Sequence, residues 1–218
     1  MTTKRKVGNP LALAVLACLF EKPMHPYEMA STLRERHKDK SIKLNYGSLY
    51  TVMGALQRHR MIEPVETARE GNRPERTVYR LTDAGRLELI DWLSELIVET
   101  PHEFTQFEAG LSLIPVLTPS DARDLLEQRV HRLEGEVERS KATRNFLTAD
   151  KLPRLFWIEE EYRSHLREAE IVWVKKLIAE IDAGALDGLD VWRGWHETAA
   201  RGENVIPFGV TIKERGAR

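Results

Sequence analysis

The chain has almost no cysteine and none of the short motifs that mark the common enzyme classes. Cys18 is the one cysteine among 218 residues. This excludes a disulfide within the chain and fits a reducing compartment, while a disulfide between two chains stays open. A phosphate-cradling glycine loop, an HExxH pair and a nucleophile elbow are all missing. We therefore expect a protein that is not an enzyme and that uses no cofactor.

Metal-binding patterns are equally scarce. Glu161, His165 and Glu168 are spaced so that they share one face of a helix, and such a set could hold a metal ion. Networks of helical Glu and Arg side chains that include an incidental His are far commoner, however. No metal site is predicted.

Long apolar stretches are also lacking. The run from Leu11 to Phe20 is too short to span a membrane, although Lys4-Arg5-Lys6 before it and Cys18 within it imitate an export signal with an acylation site. Asn9 as a cap and Pro10 at the first helical position favour a buried helix instead. We predict a cytoplasmic protein without a membrane partner, in which Cys18 is a small buried hydrophobe.

A strong net charge is absent as well, yet the charges are unevenly divided. Residues 1–85 contain 15 Lys and Arg against 9 Asp and Glu, which gives +6, whereas the whole chain carries −1. Charge fluctuates along any chain, and chance fluctuation alone explains the uneven division about as well as a functional cause does. The basic surplus lies in the segment with the clearest fold pattern, which favours a nucleic-acid interface.

The segment from Leu44 to Arg86 has the order of a winged helix. One helix is indicated by apolar residues at three- and four-residue spacing, namely Leu49, Val52, Met53 and Leu56. Two strand-like runs, Ile62 to Arg69 and Arg76 to Leu81, then flank a turn that contains Gly, Asn and Pro. Thr82 caps a further helix. The helix before this segment is predicted to place Tyr27, Ala30 and Leu33 on its inner face.

This order points to double-stranded DNA, because a helix fits the major groove and a cationic hairpin can follow the phosphates or the minor groove. Ser48 and Thr51 are candidate base or phosphate contacts, although either could simply cap the helix. Tyr50 could equally pack beneath the helix, and the hairpin arginines could merely solvate the surface. The candidate DNA-binding residues are Lys43, Asn45, Tyr46, Ser48, Tyr50, Thr51, Arg58, Arg73 and Arg76.

Beyond the wing the pattern is helical. A stalk helix and a short helix lead to Thr118, which caps a long helix with a coiled-coil-like seam. Ser140 and Arg144 interrupt this seam, and a second long helix covers about Pro153 to Ala183. Its broad apolar surface needs two partners, and so does the first helix of the chain, which is apolar nearly all round. We therefore predict a homodimer whose interface includes Leu11, Val15, Leu19, Tyr162, Leu166, Trp173 and Leu177.

Three short stretches are similar to the PadR family of bacterial transcriptional regulators: Tyr27-Glu28, Gly47-Ser48-Leu49-Tyr50, and Tyr79 to Arg86. The resemblance covers Asn9 to about Trp92, and it continues more weakly from Glu103 to Ala183 as the branch with a long helical C-terminal domain. It implies a homodimeric repressor of a pseudo-palindromic operator, released in some members by a small aromatic or lipophilic effector.

The resemblance also implies roles for single residues. It places Ser48, Tyr50 and Thr51 on the recognition helix and Arg73 and Arg76 on the wing. The chain departs from the family in two places. It has Thr51 where proline is common after the tyrosine, and Arg60 where glycine is common before the first strand.

Together these patterns predict a mostly α fold with three parts. A winged helix-turn-helix with a stalk occupies 1–98, a helical dimerisation domain occupies 99–184, and no role is assigned to the tail 185–218. Candidates for an effector pocket are Trp92, Phe104, Phe107 and Trp173, although such aromatics are more often plain core. The alternative function is a winged-helix module that assembles a protein complex, which Trp192 and Trp195 of the tail mildly favour.

Overall fold

The structure is a computed structural model that describes residue 5 and residues 7–68 and 76–202. The chain divides into two compact units, Met1–His102 and Glu103–Arg218, which are called the N-terminal unit and the C-terminal unit below. Across the described ranges, no helix combines the length and the apolarity that crossing a bilayer requires.

The described elements of the N-terminal unit form a winged helix, and those of the C-terminal unit are helices. The N-terminal unit contains α1 (Pro10–Glu21), α2 (Pro26–Glu35), α3 (Tyr46–Arg58), β1 (Ile62–Ala68), β2 (Arg76–Leu81) and α4 (Asp83–Val98). The C-terminal unit contains α5 (Gln106–Ser112), α6 (Pro119–Ala149), α7 (Ile158–Asp182) and α8 (Leu189–Ala200). The predicted fold class, mostly α with one hairpin wing and a helical C-terminal extension, is confirmed.

α1 is the central helix of the N-terminal unit. The Asn9 side chain accepts a hydrogen bond from the Leu11 N–H at 2.9 Å, and Pro10 begins the helix. The helix contacts α2, α3, α4 and β2, so its cover comes from its own unit. Leu11, Val15 and Leu19 are 1%, 0% and 4% exposed. These side chains therefore belong to the core of the unit, and their predicted contribution to a dimer interface stays a prediction.

The wing is joined to the helical core at its base. β1 and β2 pair antiparallel, with Ile62 opposite Leu81. Tyr79 of β2 also exchanges two backbone hydrogen bonds of 3.0 Å with Met24, in the turn before α2. The base of the hairpin is therefore joined to the turn before α2 by backbone hydrogen bonds of β2.

The turn from the wing into α4 depends on Thr82 and Gly85. The Thr82 hydroxyl accepts a hydrogen bond from the Gly85 N–H at 3.0 Å and donates one to the Arg60 carbonyl at 2.7 Å, which confirms the predicted cap. A Cβ on Gly85 would lie 2.0 Å from the Met61 carbonyl oxygen. Only glycine allows α4 to approach the start of the wing this closely.

Arg5 holds the chain before α1 against α4. Its side chain is 12% exposed, and its guanidinium donates to Glu88 at 2.8 Å, to Asp91 at 2.9 Å and to Glu95. The same group lies 5.6 Å from the centroid of the buried Trp92 ring. Burial alone would lower the pKa of Arg5, but the hydrogen bonds to the three carboxylates raise it well above its ordinary value.

α6 and α7 form an antiparallel pair in the C-terminal unit. The Thr118 side chain caps α6 by accepting from the Asp121 N–H at 3.1 Å. The two helices are joined by ion pairs along their length, which are Arg123–Asp182, Arg129–Glu170, Lys175–Glu134 and Arg167–Glu136. α7 begins at Ile158, later than predicted, because Arg154–Phe156 form a separate 3-10 turn.

Two further contacts complete this unit. Ser140 does not break the seam between α6 and α7, since it is 3% exposed and donates its hydroxyl to the Glu160 carboxylate. In α8, Trp192 is 6% exposed and its indole N–H donates to the Leu117 carbonyl at 2.8 Å. A nitrogen of the His196 ring lies 3.0 Å from the Pro115 carbonyl oxygen. The described part of the tail is therefore packed as a helix against the C-terminal unit.

Candidate nucleic-acid interface

α3 is held in the N-terminal unit by one apolar face. Leu49, Val52, Met53 and Leu56 are all buried, as their spacing predicts. The Asn45 side chain accepts a hydrogen bond from the Ser48 N–H at 2.7 Å, so Asn45 is the N-cap of α3. This cap satisfies one of the free N–H groups of the first turn and fixes where the helix begins.

The opposite face of α3 is exposed and carries most of the predicted contact residues. Tyr46 and Tyr50 are 41% and 56% exposed, so Tyr50 does not pack beneath the helix. Thr51 is exposed, and its hydroxyl donates to the Gly47 carbonyl at 2.9 Å. An exposed helix face with polar and aromatic side chains has the composition that a groove-binding helix needs.

Sequence reasoning missed two residues beside this face, Tyr27 and Arg34 of α2. Tyr27 was expected on the inner face of α2 but is 65% exposed, because the inner positions are taken by Met29, Ala30 and Leu33. Its ring stacks on the Tyr46 ring at a centroid distance of 6.2 Å and an angle of 14°.

Arg34 completes this cluster. Its guanidinium donates to the Tyr46 hydroxyl at 2.7 Å and lies 4.6 Å from the centroid of the Tyr46 ring. The cluster of Tyr27, Arg34 and Tyr46 therefore presents one cation and two phenol groups at the start of α3. Its signal in the sequence is weak, since tyrosine is found on both buried and exposed faces of helices.

Several cations of the N-terminal unit are held in ion pairs. Lys22 is 2.6 Å from Glu28, and Arg36 and Arg80 are paired with Glu21 and Glu63. The hydrogen bond from Arg36 lowers the pKa of Glu21, so this pair stays charged. Among the described residues, by contrast, Lys43 and Arg58 at the two ends of α3 form no ion pair.

The wing contributes less to the described surface. Arg76 lies opposite Ala68 at the end of the described hairpin, so the backbone of Arg76 reaches the distal part of the wing. Arg73 was predicted at its tip and lies outside the described residues. The contacts of both arginines with DNA stay predictions.

The predicted effector residues are divided between the two units, Trp92 in the N-terminal unit and Phe104, Phe107 and Trp173 in the C-terminal unit, so a pocket formed by all four stays a prediction. Trp92 is 5% exposed and belongs to the core of the N-terminal unit, while Phe104 is 90% exposed. Phe107 and Trp173 are brought together in the C-terminal unit, edge to face, with ring centroids 6.5 Å apart.

Among the predicted dimer residues of α7, Tyr162, Leu166 and Trp173 are exposed and Leu177 is half-buried.

The residues considered for metal binding and thiol chemistry have other partners. Glu161 binds Arg154 through both carboxylate oxygens at 2.7 Å. Among the described residues, no group of three His, Cys, Asp or Glu side chains is arranged so that it could hold a metal ion. Cys18 is a free thiol that is 3% exposed. Burial raises the pKa of Cys18 to about 11, so it is a small core residue that is protonated at neutral pH.

The N-terminal unit thus belongs to the class of winged helix-turn-helix domains, with a helix whose exposed face and flanking cations suit a nucleic acid. Residues 15–91 match the sequence model of the Transcriptional regulator PadR-like family. The chain therefore carries a PadR-like transcriptional regulator domain, as the resemblance in the sequence implies. No curated protein matches the chain.

Several solved structures share the fold over most of the chain. Bacillus subtilis PadR in complex with operator DNA has a TM-score of 0.62 at 21% identity, and the match covers 79% of this chain and 99% of that chain. The same protein in complex with p-coumaric acid has a TM-score of 0.62 at 20% identity, over 79% and 98%. The Vibrio cholerae virulence activator AphA has a TM-score of 0.62 at 19% identity, over 80% and 99%. At these identities the likeness concerns the fold alone.

Proposed function

We propose that the protein is a homodimeric transcriptional repressor that binds a pseudo-palindromic operator and is released from it by a small effector. The observation that carries the DNA-binding part is the exposed face of α3 between Lys43 and Arg58, two cations that form no ion pair with any described residue. A helix of this kind enters the major groove, while cations beside it bind phosphates and displace counterions.

The roles of the individual residues follow from their exposure. Thr51 and the half-buried Ser48 are placed to contact base edges or phosphates, and Asn45 sets the position of the helix by capping it. The cluster of Tyr27, Arg34 and Tyr46 is placed to contact a phosphate, because hydroxyl and guanidinium groups both donate hydrogen bonds to phosphate oxygens. Arg73 and Arg76 contact DNA from the wing.

Dimerisation and effector release complete the proposal. Two α3 helices spaced by about one turn of B-DNA, roughly 34 Å, read two half-sites. The exposed apolar side chains of α7 support a dimer that uses the C-terminal unit. The operator DNA and the p-coumaric acid bound by Bacillus subtilis PadR support a regulator with an operator and a small effector.

A gel-shift titration with the region upstream of the protein's own gene tests this function. We expect the wild-type protein to shift this DNA at low salt. The double variant Lys43→Ala/Arg58→Ala should bind operator and random DNA more weakly, and its log affinity should fall less steeply with log salt, by about two ions. The reason is that binding releases about one counterion fewer from the DNA for each cation that the variant lacks.

Arg139→Ala is the matched control, since Arg139 is an exposed arginine of α6, and we expect it to leave the salt slope unchanged. A double variant with the wild-type slope would show that Lys43 and Arg58 do not contact phosphate. Absence of any shift at low salt would favour the alternative, a winged-helix module that binds a protein partner.

A further inference from the structure

The C-terminal unit contains a groove that takes no part in the proposed DNA contacts. The groove has a volume of about 500 Å³ and lies between α5, the turn that follows α5, and the first half of α6. Sites for small ligands typically have volumes of roughly 300–1,000 Å³. Its wall is aliphatic and is formed mainly by Leu111, Ile114, Leu117, Leu125, Leu126 and Leu133. A groove of this kind suits an elongated apolar body.

Two of the charged residues that line the groove are already neutralised. The Arg129 guanidinium lies 3.6 Å from the centroid of the Phe107 ring and is paired with Glu170. Glu136 is paired with Arg167 at 2.6 Å. The charges of these four side chains cancel, so a ligand gains little by approaching them.

Arg132 is the remaining charge of the lining. Its side chain is exposed, and within the described ranges it forms no ion pair. Gln128 also lines the groove and lies one helical turn before Arg132, so both side chains project from the same face of α6. The groove therefore combines an aliphatic wall with one uncompensated guanidinium and one amide.

We propose that this groove binds an aliphatic monocarboxylate, with its chain on the leucine wall and its carboxylate on Arg132 and Gln128. A guanidinium binds a carboxylate through two parallel hydrogen bonds, and the Gln128 amide supplies a further N–H donor. One free positive charge selects a monoanion over a neutral molecule or a dianion. The inference rests on the proposed function only where it makes this ligand the effector that releases DNA.

Calorimetric titration of the full chain with octanoate, in the absence of DNA, tests the site. We expect one octanoate per chain. Arg132→Gln should weaken binding by at least about tenfold, the equivalent of one charge-assisted hydrogen bond. 1-Octanol, which has the chain without the charge, should be weaker than octanoate by a similar factor. Arg139→Gln, which removes the same charge from the same helix outside the groove, should change affinity by less than about twofold.

A second variant tests the location of the site independently of charge. Gly110 lines the groove, and a Cβ built on it meets no atom within 4 Å. Gly110→Phe should therefore fill the groove and abolish octanoate binding, while the circular dichroism spectrum stays that of the wild type. Absence of octanoate binding to the wild-type chain would overturn the inference. So would binding that survives both Arg132→Gln and Gly110→Phe, or binding only to dissociated chains, which would show that a second copy occupies the groove.

Two further experiments test which class of ligand the groove binds and whether this ligand releases DNA. Trans-cinnamate that binds more tightly than octanoate would replace the aliphatic assignment by an aromatic one. In the gel-shift assay, octanoate should release operator DNA from the wild type but not from Arg132→Gln. Calorimetric binding without release would uphold the groove as a ligand site and reject its effector role. A chain that binds octanoate but no DNA would contradict the proposed function alone.

Discussion

At the scale of single residues, Arg60 has a backbone conformation that its side chain disfavours. Its φ is 56°, in the left-handed region. The Arg60 N–H donates to the Gln57 carbonyl and the Met61 N–H to the Leu56 carbonyl, both at 2.9 Å. These two bonds end α3 as a Schellman motif, in which glycine usually takes the left-handed position. The glycine that the PadR resemblance implies at this position thus has a physical reason, although the sequence alone does not reveal the angle.

We predict that Arg60→Gly stabilises the N-terminal unit. The left-handed conformation costs an L-residue about 1–2 kcal/mol, and glycine removes this cost. Part of the stabilisation is lost again, because glycine gives the unfolded chain more conformational entropy. The free energy of unfolding should therefore rise by about 1 kcal/mol. Urea unfolding followed by circular dichroism measures it. The difference in tryptophan emission between variant and wild type reports on this unit, because Trp92 is the one tryptophan among residues 1–102 and the other four are the same in both chains.

Arg60→Ala is the control for this prediction. Alanine also removes the charge and the long side chain of Arg60 but keeps the Cβ that causes the strain. We expect its unfolding free energy to stay within about 0.5 kcal/mol of the wild type, as for most surface substitutions. An equal gain in both variants would assign the effect to the lost charge rather than to the backbone.

At the scale of elements, the starts of the helices were predictable and some of their faces were not. Asn9, Thr82 and Thr118 each cap the helix that the sequence assigns to them, because capping depends on residues that are neighbours in the chain. The face of α2 was wrong at Tyr27, since its inner positions begin with Pro26 and Met29. Likewise, a helix as apolar as α1 does not reveal whether its own unit or a second subunit covers it.

The contact of Arg5 with α4 is long-range and carried no signal in the sequence, where Arg5 belongs to the basic run Lys4-Arg5-Lys6 that imitates an export signal. We predict that Arg5→Ala destabilises the N-terminal unit by about 1.5–3 kcal/mol, the range for hydrogen bonds to charged groups. The variant leaves Glu88, Asp91 and Glu95 close together without their cation and uncovers the Trp92 ring. The same urea experiment measures the loss, and the emission of Trp92 should shift to longer wavelength.

Arg5→Met separates the two contributions. Methionine keeps an apolar chain over the Trp92 ring but carries no charge. We expect its emission to stay near that of the wild type while its stability remains below the wild-type value. If Arg5→Met were as stable as the wild type, packing alone would hold this segment and the three carboxylates would contribute nothing.

At the scale of the whole molecule, α7 leaves an apolar stripe unburied in the single chain. The stripe consists of Ile158, Tyr162, Leu166 and Trp173, which are 48%, 66%, 53% and 49% exposed. Their spacing places them on one side of the helix, and contiguous apolar patches on a chain of this size mark interaction sites. Periodicity alone predicted a surface too broad for one partner. It could not show which residues α6 covers, because that depends on the packing of two helices.

We predict that Leu166→Glu dissociates the proposed homodimer, because a carboxylate in the centre of the stripe would lose its hydration on association without gaining a partner. Sedimentation velocity should show a dimer for the wild type and a monomer for the variant. Affinity for an operator with two half-sites should fall by at least about a hundredfold, since the second winged helix no longer profits from a high effective concentration.

Ala142→Glu serves as the control, since it adds the same charge at an exposed position of α6, and we expect it to remain dimeric. Affinity for a single half-site separates assembly from DNA contact: Leu166→Glu should bind it as the wild type does, because α3 and the wing lie in the N-terminal unit. A Leu166→Glu variant that stays dimeric would place the dimer contact elsewhere on the chain. A monomer that keeps full operator affinity would show that DNA binding needs only one winged helix.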